Sequence, residues 1–277
     1  MSVQSAPSVE AQESTASEIL TERDGTVLRV EFNRPAKKNA MTMNMYTTVA
    51  DLLNAAAKDD GIRVVLLHGA GDSFTAGNDL GDFLQNPPKG DDSPQGRFID
   101  ALINFDKPLI AAVHGAAVGS GTTMLPHCDF VYAAERTTFQ MPFVNLALVP
   151  ELGSSYAVPA QIGYLAAAEL ILLGLPFDAR RAAELGFVTR IVSEPGLLAT
   201  AMDTAQRLAQ QPAGALQASK RLMKRAWREQ AAAAAKAETQ EFASRVQSAE
   251  AKEAMTAFFE KRRPDFTKTE TAPAVSQ

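Results

Sequence analysis

The first half of the chain alternates short apolar runs with small-residue turns and with longer stretches of helical spacing. Helical spacing at residues 44–58 and 97–105 lies between the apolar runs, and this alternation predicts an α/β core. The two earliest runs are joined at Asp24-Gly25, which predicts a hairpin. The apolar runs predict strands at residues 19–23, 27–32, 64–68, 108–113 and 130–134.

The predicted helix at residues 44–58 has a capping residue and an apolar face. Thr42 precedes it and can accept a hydrogen bond from a free N–H group of the first turn. Met45, Val49, Leu52 and Leu53 share one face at helical spacing, and we expect that face to be buried. Residues 86–96, which are rich in proline, glycine and aspartate, predict a mobile loop.

From residue 163 onward the pattern is mostly helical. Basic residues recur in this region at helical spacing, which favours a solvated or subunit-facing stripe of Lys220, Arg221, Lys224, Arg225 and Arg228. The polar chain ends, residues 1–17 and 267–277, are interpreted as disordered tails. The candidate helices are residues 165–173, 179–185, 197–210, 213–228, 231–245 and 249–259.

Two predicted strand-to-helix turns contain small residues. One spans residues 72–80 and the other spans residues 114–124. Small residues let a backbone N–H group approach a ligand closely, and N–H groups at a helix start lack internal partners. Two such groups that converge from two turns would form an oxyanion hole. Gly-rich turns also occur for packing reasons alone, so each turn taken singly leaves both interpretations open.

A third segment, residues 139–156, places one carboxylate among apolar and small neighbours. Glu151 follows Pro150 directly, and Leu152, Gly153 and Ser154 come after it. A carboxylate with apolar neighbours resists ionisation, which suits a proton-transferring acid or base near neutral pH. The alternative is a loop glutamate that faces water.

Composition excludes several classes of function. The net charge of −5 gives no electrostatic basis for binding nucleic acid, and no apolar run reaches membrane-spanning length. The single cysteine, Cys128, cannot form an internal disulfide, so the expected compartment is a reducing cytoplasm. His68, His114 and His127 lack the spacing of metal ligands, so no metal is expected. We expect structural roles for these histidines, for Cys128 and for Asp129.

Several motifs in sequential order resemble the crotonase superfamily, the enoyl-CoA hydratase/isomerase family. The resemblance covers residues 19–266 and is most similar to the peroxisomal-type 3-enoyl to 2-enoyl-CoA isomerases, in which a Pro-Glu pair precedes a Ser-Ser-Tyr-like run. It implies a spiral of ββα repeats at residues 18–195 and a helical trimerisation region at residues 196–266. The motifs are residues 33–40, 74–80, 115–121, 128–129 and 258–266.

The resemblance also implies roles for individual residues. Ala76 and Ser120 match the two donors of the oxyanion hole, although the family usually has glycine at the second position. Thr123 and Phe143 occupy the positions of the two glutamates that hydratases use to add water. Neither can act as a carboxylate base. Moving a double bond needs only one carboxylate, and Glu151 is the candidate.

The expected substrate is an acyl-CoA thioester, with coenzyme A as part of the substrate and no separate cofactor. The family implies a homotrimer or a pair of trimers, in which Lys261 approaches the CoA site of a neighbouring subunit. Two alternatives remain. One is a hydratase, or another acyl-CoA reaction of the superfamily, with an unrecognised second group; the other is a non-catalytic acyl-CoA binding protein. The expected substrate-binding residues are Lys37, Lys38, Thr75, Ala76, Gly77, Asn78, Asp79, Leu80, Gly119, Phe143, Phe258 and Lys261.

Overall fold

The computed structural model describes residues 17–86, 90 and 92–268 of the 277-residue chain. The predicted tails therefore lie almost wholly outside the described residues; only Ser17 and residues 267–268 fall within them. The strands are β1 (Ile19–Asp24), β2 (Val27–Phe32), β3 (Val64–Gly69), β4 (Leu109–Val113), β5 (Ala116–Val118), β6 (Phe130–Ala134), β7 (Thr138–Gln140), β8 (Phe177–Asp178) and β9 (Arg190–Val192).

Helices follow or separate most of these strands. Short 3-10 helices occur as well, and one of them, Phe266–Lys268, ends the described chain. The α-helices are α1 (Met43–Lys58), α2 (Leu80–Gln85), α3 (Pro94–Asn104), α4 (Ser120–Thr123), α5 (Ser154–Ile162), α6 (Tyr164–Leu172), α7 (Ala179–Glu184), α8 (Leu197–Ala209), α9 (Ala213–Arg245) and α10 (Ala249–Phe259).

The strands form two sheets. The larger sheet has the order β1-β2-β3-β4-β6-β9, and the smaller has the order β5-β7-β8. β1 and β2 pair antiparallel through Asp24↔Val27, which confirms the predicted hairpin, while β2, β3, β4, β6 and β9 run parallel. The predicted α/β core is therefore confirmed.

Alternation along β3 shows where the core lies. Val65 and Leu67 belong to the main apolar cluster, whereas Val64 and Leu66 face a second cluster that contains Leu197 of α8. Because side chains alternate between the two faces of a strand, both faces of this sheet are covered, as parallel sheets require. Helix α8, in the predicted helical region, therefore covers one face of the larger sheet.

Helix α1 confirms its predicted cap and most of its predicted buried face. Thr42 is the N-cap, and its Oγ1 accepts a hydrogen bond from the Met45 N–H. Met45, Val49 and Leu53 are buried, while Leu52 is only partly buried. Two further residues of this face are buried, Tyr46 and Ala50.

The predicted loop at residues 86–96 is wrong at its C-terminal end. Pro94 starts α3, with Ser93 as the N-cap that accepts a hydrogen bond from Gly96. Proline is well suited to the first turn of a helix, where its missing N–H would have no partner. The other part of this prediction includes residues 87–89 and 91, which lie outside the described residues.

Helix α9 corrects two predictions. It is continuous from residue 213 to residue 245 instead of breaking at residues 229–230, because Glu229 and Gln230 are helix formers followed by an alanine run. Its basic residues are not all solvated. Lys220 Nζ lies 2.6 Å from Asp129 Oδ2 and donates to the Lys107 carbonyl, and Lys224 Nζ donates to the His127 carbonyl.

Asp129 has the structural role that the sequence predicted. Besides pairing with Lys220, its carboxylate accepts a hydrogen bond from the Leu109 N–H at the start of β4.

No helix in the described part of the chain is long and apolar enough to cross a membrane.

Candidate active site

The two small-residue turns meet, as predicted. Thr75 and Ala117 form a bridge, and the Val118 N–H donates to the Thr75 carbonyl at 3.0 Å. A Cβ at Gly77, where φ is +83°, would lie 2.5 Å from the Val118 carbonyl oxygen, and a Cβ at Gly121 would lie 2.7 Å from that of Thr75. Only glycine permits this close approach, so these positions hold the turns together.

The two predicted oxyanion donors differ in their bonding. Ser120 is the first residue of α4, and its N–H group has no acceptor in the described part of the chain. The Ala76 N–H donates to the Lys38 carbonyl at 2.9 Å. It is therefore not free in this structure and would have to exchange this acceptor for a thioester oxygen.

Glu151 lies on a tight turn that precedes α5. Leu152 and Gly153 have left-handed backbone conformations with φ of 62° and 70°. The turn is anchored from two sides. His127 Nε2 donates to the Leu152 carbonyl at 2.7 Å, and the carboxylate of Glu238 on α9 accepts hydrogen bonds from the Gly153 and Ser155 N–H groups. Burial lowers the pKa of His127 to about 3, so its imidazole stays neutral.

The Glu151 carboxylate has the electrostatics of a proton-transfer group. Burial raises its pKa to about 7. A hydrogen bond from Asn78 lowers the pKa, and the nearby Glu238 raises it further. Nδ2 of Asn78 lies 3.2 and 3.3 Å from the two carboxylate oxygens. Glu151 can therefore exchange a proton near neutral pH.

Glu151 opens onto a cavity of about 650 Å³. Most predicted site residues line this cavity, whereas Lys38, Thr75, Ser120 and Lys261 do not. Ser120 is fully buried beneath Gly119, which does line it. The predicted residues that line the cavity are Lys37, Ala76, Gly77, Asn78, Asp79, Leu80, Gly119, Phe143, Glu151 and Phe258.

Sequence and structural comparisons identify the family. The pattern of the Enoyl-CoA hydratase/isomerase family matches residues 22–269. The chain belongs to this family. A crystal structure of an enoyl-CoA hydratase/isomerase from Pseudoalteromonas atlantica superposes with a TM-score of 0.86 at 40% identity, covering 90% of this chain and 100% of that one. The crotonase fold predicted from the motifs is thereby confirmed.

Relatives in this family carry out different reactions. Enoyl-CoA delta isomerase 2 of Rattus norvegicus is 36% identical over 221 residues, which cover 78% of this chain and 56% of that protein. The chain therefore spans little more than half of the length of this isomerase. The 2,3-dehydroadipyl-CoA hydratase of Escherichia coli is 31% identical over 253 residues, which cover 90% of this chain and 98% of that protein. Family membership alone does not separate isomerisation from hydration.

Thr123 and Phe143, which the resemblance assigns to the two glutamate positions of hydratases, carry no carboxylate. Thr123 is fully buried, and its hydroxyl donates to the Gly119 carbonyl at 3.2 Å. Phe143 is buried, with 5% of its surface exposed, and it lines the cavity. Of Thr123, Phe143 and Glu151, only Glu151 has a carboxylate, and it lines the cavity.

The C-terminal segment lies over the cavity of its own chain. Phe258, Phe259, Arg262 and Pro264 line it. Arg262 is the cationic residue of this segment at the cavity, and it pairs with the Glu253 carboxylate. The approach of Lys261 to a neighbouring subunit stays a prediction.

Sequence reasoning missed several residues of the site. Asp79, expected among the substrate-binding residues, also caps α2 by accepting hydrogen bonds from the Gly81 and Asp82 N–H groups. The missed residues either line the cavity or hydrogen-bond to other site residues through tertiary packing. Only the helical spacing of Tyr46 beside Met45 and Val49 could have indicated a buried position. The missed residues are Tyr46, Phe83, Glu238, Phe242 and Arg262.

Residues 17–86, 90 and 92–268 contain no cluster of histidine, cysteine, aspartate or glutamate side chains that could hold a metal ion. Cys128 is a free thiol whose pKa is raised to about 12 by burial, so it is not a nucleophile at neutral pH.

Proposed function

We propose that the protein is an enoyl-CoA isomerase that moves a double bond from the 3-position to the 2-position of an acyl-CoA thioester. One observation carries the proposal: Glu151, with a pKa of about 7, lines the cavity. Thr123 and Phe143, which the resemblance assigns to the glutamate positions of hydratases, have no carboxylate. Isomerisation needs one group that accepts and returns a proton. Hydration needs an activated water and a proton donor together.

In the proposed reaction the Glu151 carboxylate removes a proton from C2, next to the thioester carbonyl. The electrons of the broken C–H bond form a dienolate whose negative charge rests on the thioester oxygen. The Ser120 N–H, together with the Ala76 N–H once it has left the Lys38 carbonyl, would stabilise this oxyanion. Glu151 then returns the proton to C4, and the conjugated 2-enoyl thioester results.

The walls of the cavity support an acyl-CoA substrate. Apolar residues, among them Leu148, Phe83 and Phe242, suit an acyl chain. Lys37, which lines the cavity, suits the phosphates of coenzyme A. Arg262 also lines it, but its guanidinium group already pairs with the carboxylates of Glu253 and Glu260. Coenzyme A would enter as part of the substrate, and the proposed proton transfer uses no separate cofactor.

A hydratase remains the second candidate because one observation favours it. Glu238 and Glu151 both line a smaller cavity of about 30 Å³. A second carboxylate is thus near, but Glu238 accepts two backbone hydrogen bonds and does not line the main cavity. A purely acyl-CoA-binding protein would leave the raised pKa of Glu151 without a use.

Product analysis tests the choice between these reactions. Purified protein is given a 3-enoyl-CoA and, separately, a 2-enoyl-CoA. We expect the conjugated thioester absorbance to rise with the first substrate and to stay nearly constant with the second, because Phe143 helps to exclude water from the site. Fast loss of absorbance with the 2-enoyl substrate would instead identify a hydratase, and no change with either would favour binding without chemistry.

We further propose that the protein assembles as a trimer or a pair of trimers. Helices α6 and α9 expose apolar side chains, including Leu165 at 83%, Leu222 at 73% and Met223 at 78%. Large exposed apolar patches are unusual in monomers. Phe242 and Met255 of the same helical region are buried within their own chain and leave no apolar surface for an interface.

Light scattering checks this assembly. We expect a mass that is a multiple of three subunits, and we expect Leu222→Glu with Met223→Glu to dissociate it, because charges would be buried at the interface. A matched control is Leu20→Glu on β1, which is 40% exposed and distant in sequence from both helices. A wild-type monomer, or dissociation by the control alone, would contradict the proposal.

A further inference from the structure

A chain of hydrogen bonds connects Ser120 with Glu151 through two intervening residues. Tyr46 on α1 is fully buried, and its hydroxyl lies 2.6 Å from Asn78 Oδ1 and 2.7 Å from Ser120 Oγ. The Asn78 amide nitrogen faces both oxygens of the Glu151 carboxylate at 3.2 and 3.3 Å. The chain therefore begins on the residue of a predicted oxyanion donor and ends on the predicted base.

Counting protons determines the direction of this chain. The Tyr46 hydroxyl has one proton, and the Asn78 carbonyl oxygen can only accept. Tyr46 must therefore donate to Asn78, and the Ser120 hydroxyl must donate to Tyr46. With its oxygen engaged in this way, the Asn78 carboxamide can turn only its NH₂ group towards Glu151.

We propose that Tyr46 is a positioning residue, which acts through Asn78 to orient the Glu151 carboxylate and to favour its ionised form, with the Ser120 hydroxyl completing the chain. The inference rests on the proposed role of Glu151 in proton transfer. A flipped Asn78 amide would place its oxygen against an ionised carboxylate, which has no proton to donate.

The physical effect follows from the opposing influences on Glu151. Burial favours the neutral acid, whereas the Asn78 donor stabilises the carboxylate. Tyr46 itself remains protonated, because burial and the charge of Glu151 raise its pKa well above the ordinary value. The other nearby groups do not replace this donor: Glu238 on α9 raises the pKa of Glu151, and His127 is neutral and bonded to the Leu152 carbonyl.

The Ser120 side chain contributes a hydroxyl to this chain of hydrogen bonds. The family pattern that the sequence resembles usually has glycine at this position, which cannot donate a side-chain hydrogen bond. Here the hydroxyl is fully buried and reaches Tyr46. By donating to the Tyr46 oxygen, the Ser120 hydroxyl polarises the Tyr46 O–H group and strengthens its hydrogen bond to Asn78. We therefore expect Ser120→Ala to produce a weaker version of the effect of changing Tyr46.

The test measures the pKa of Glu151 in Tyr46→Phe, which keeps the ring and its packing against Phe98 at 5.3 Å. Carboxyl carbon NMR on the ligand-free protein reports this pKa without any turnover. We expect it to rise by about one pH unit, equivalent to a tenfold change in ionisation, since one hydrogen bond to a charged group is weakened. With a 3-enoyl-CoA, the ascending limb of kcat against pH should move by the same amount, with little change in KM.

The matched control removes the same atom from a buried tyrosine elsewhere. Tyr132 is 4% exposed, and its hydroxyl lies 2.7 Å from Thr204 Oγ1. Tyr132→Phe should leave the Glu151 pKa and the pH profile unchanged. If Tyr46→Phe fails to fold, Ser120→Ala provides the same measurement with a smaller expected shift in the same direction.

Two failures are distinguishable. An unchanged Glu151 pKa in folded Tyr46→Phe, or the same shift in Tyr132→Phe, overturns the positioning role even if the wild-type protein is an isomerase. A shifted pKa in a protein that forms no 2-enoyl product supports the hydrogen-bond chain and rejects the proposed function instead.

Discussion

Replacing Glu151 with glutamine is expected to lower isomerase turnover by roughly 10²–10⁴-fold, the usual contribution of a general acid or base. Glutamine has nearly the same shape, so the cavity keeps its form, but the amide cannot accept a proton from C2 or return it to C4. Substrate affinity should change little. Stopped-flow absorbance of the conjugated thioester, with a 3-enoyl-CoA at saturation, measures the loss.

Stability and pH dependence provide the controls for Glu151→Gln. The folded-state pKa of about 7 lies above the ordinary value of 4.5, so the fold favours the protonated acid. The contribution of Glu151 to stability is therefore lost as pH rises from about 4.5 through 7, and the glutamine variant should lack this part of the pH dependence. Its turnover should also lack the rise through pH 7 of the wild type. Near-normal turnover in the folded variant would reject Glu151 as the base.

The sequence predicted the features that depend on local patterns. The hairpin around Asp24-Gly25 and the strand at residues 64–68 follow from alternation and turn chemistry over a few residues. Glu151 stood out because its neighbours along the chain are apolar, and burial in the structure raises its pKa as that pattern predicted. Local sequence and tertiary environment agree at this position, so the prediction needed no knowledge of distant contacts.

Features that depend on distant contacts could not be predicted. Glu238 lies 85 residues beyond Gly153, from whose N–H group it accepts a hydrogen bond. Nothing in the sequence around Glu238 indicates a buried carboxylate. Tyr46 is separated from Ser120 by 74 residues. The acceptor of the Ala76 N–H, the Lys38 carbonyl, depends on the left-handed conformation of Lys38, which a lysine rarely adopts.

For the basic residues of α9, the helical spacing was predicted correctly, but the expected solvent exposure is wrong at Lys220. Five basic residues at helical spacing are typical of a solvated face, and Arg221 and Arg225 are indeed exposed. Lys220 is 5% exposed because its long apolar stem packs inward and its ammonium group reaches Asp129 and the Lys107 carbonyl. Burial was possible only because a carboxylate from a distant segment neutralises it.

Replacing Asp129 with alanine is accordingly expected to destabilise the protein by about 3–5 kcal/mol, the usual cost of removing one partner of a buried ion pair. The Lys220 and Asp129 side chains are 6% and 16% exposed, and the two charged atoms lie 2.6 Å apart. The change leaves the Lys220 ammonium buried without its counter-charge and also removes the acceptor of the Leu109 N–H. Urea unfolding at pH 7 measures the difference.

A matched control on an exposed pair separates burial from the loss of charge itself. Asp203 and Arg207 form an ion pair at 3.9 Å on α8, with 69% and 77% of their side chains exposed. Asp203→Ala should change the free energy of unfolding by less than about 0.5 kcal/mol, because solvent screens such pairs. Combining Asp129→Ala with Lys220→Met should recover part of the loss, since the buried Lys220 ammonium is then absent. Recovery should be incomplete because Lys224, whose Nζ lies 3.8 Å from Asp129 Oδ1, still loses its counter-charge. Equal effects of the two single aspartate changes would show that Lys220 reaches water, and that α9 is not held to the core by this ion pair.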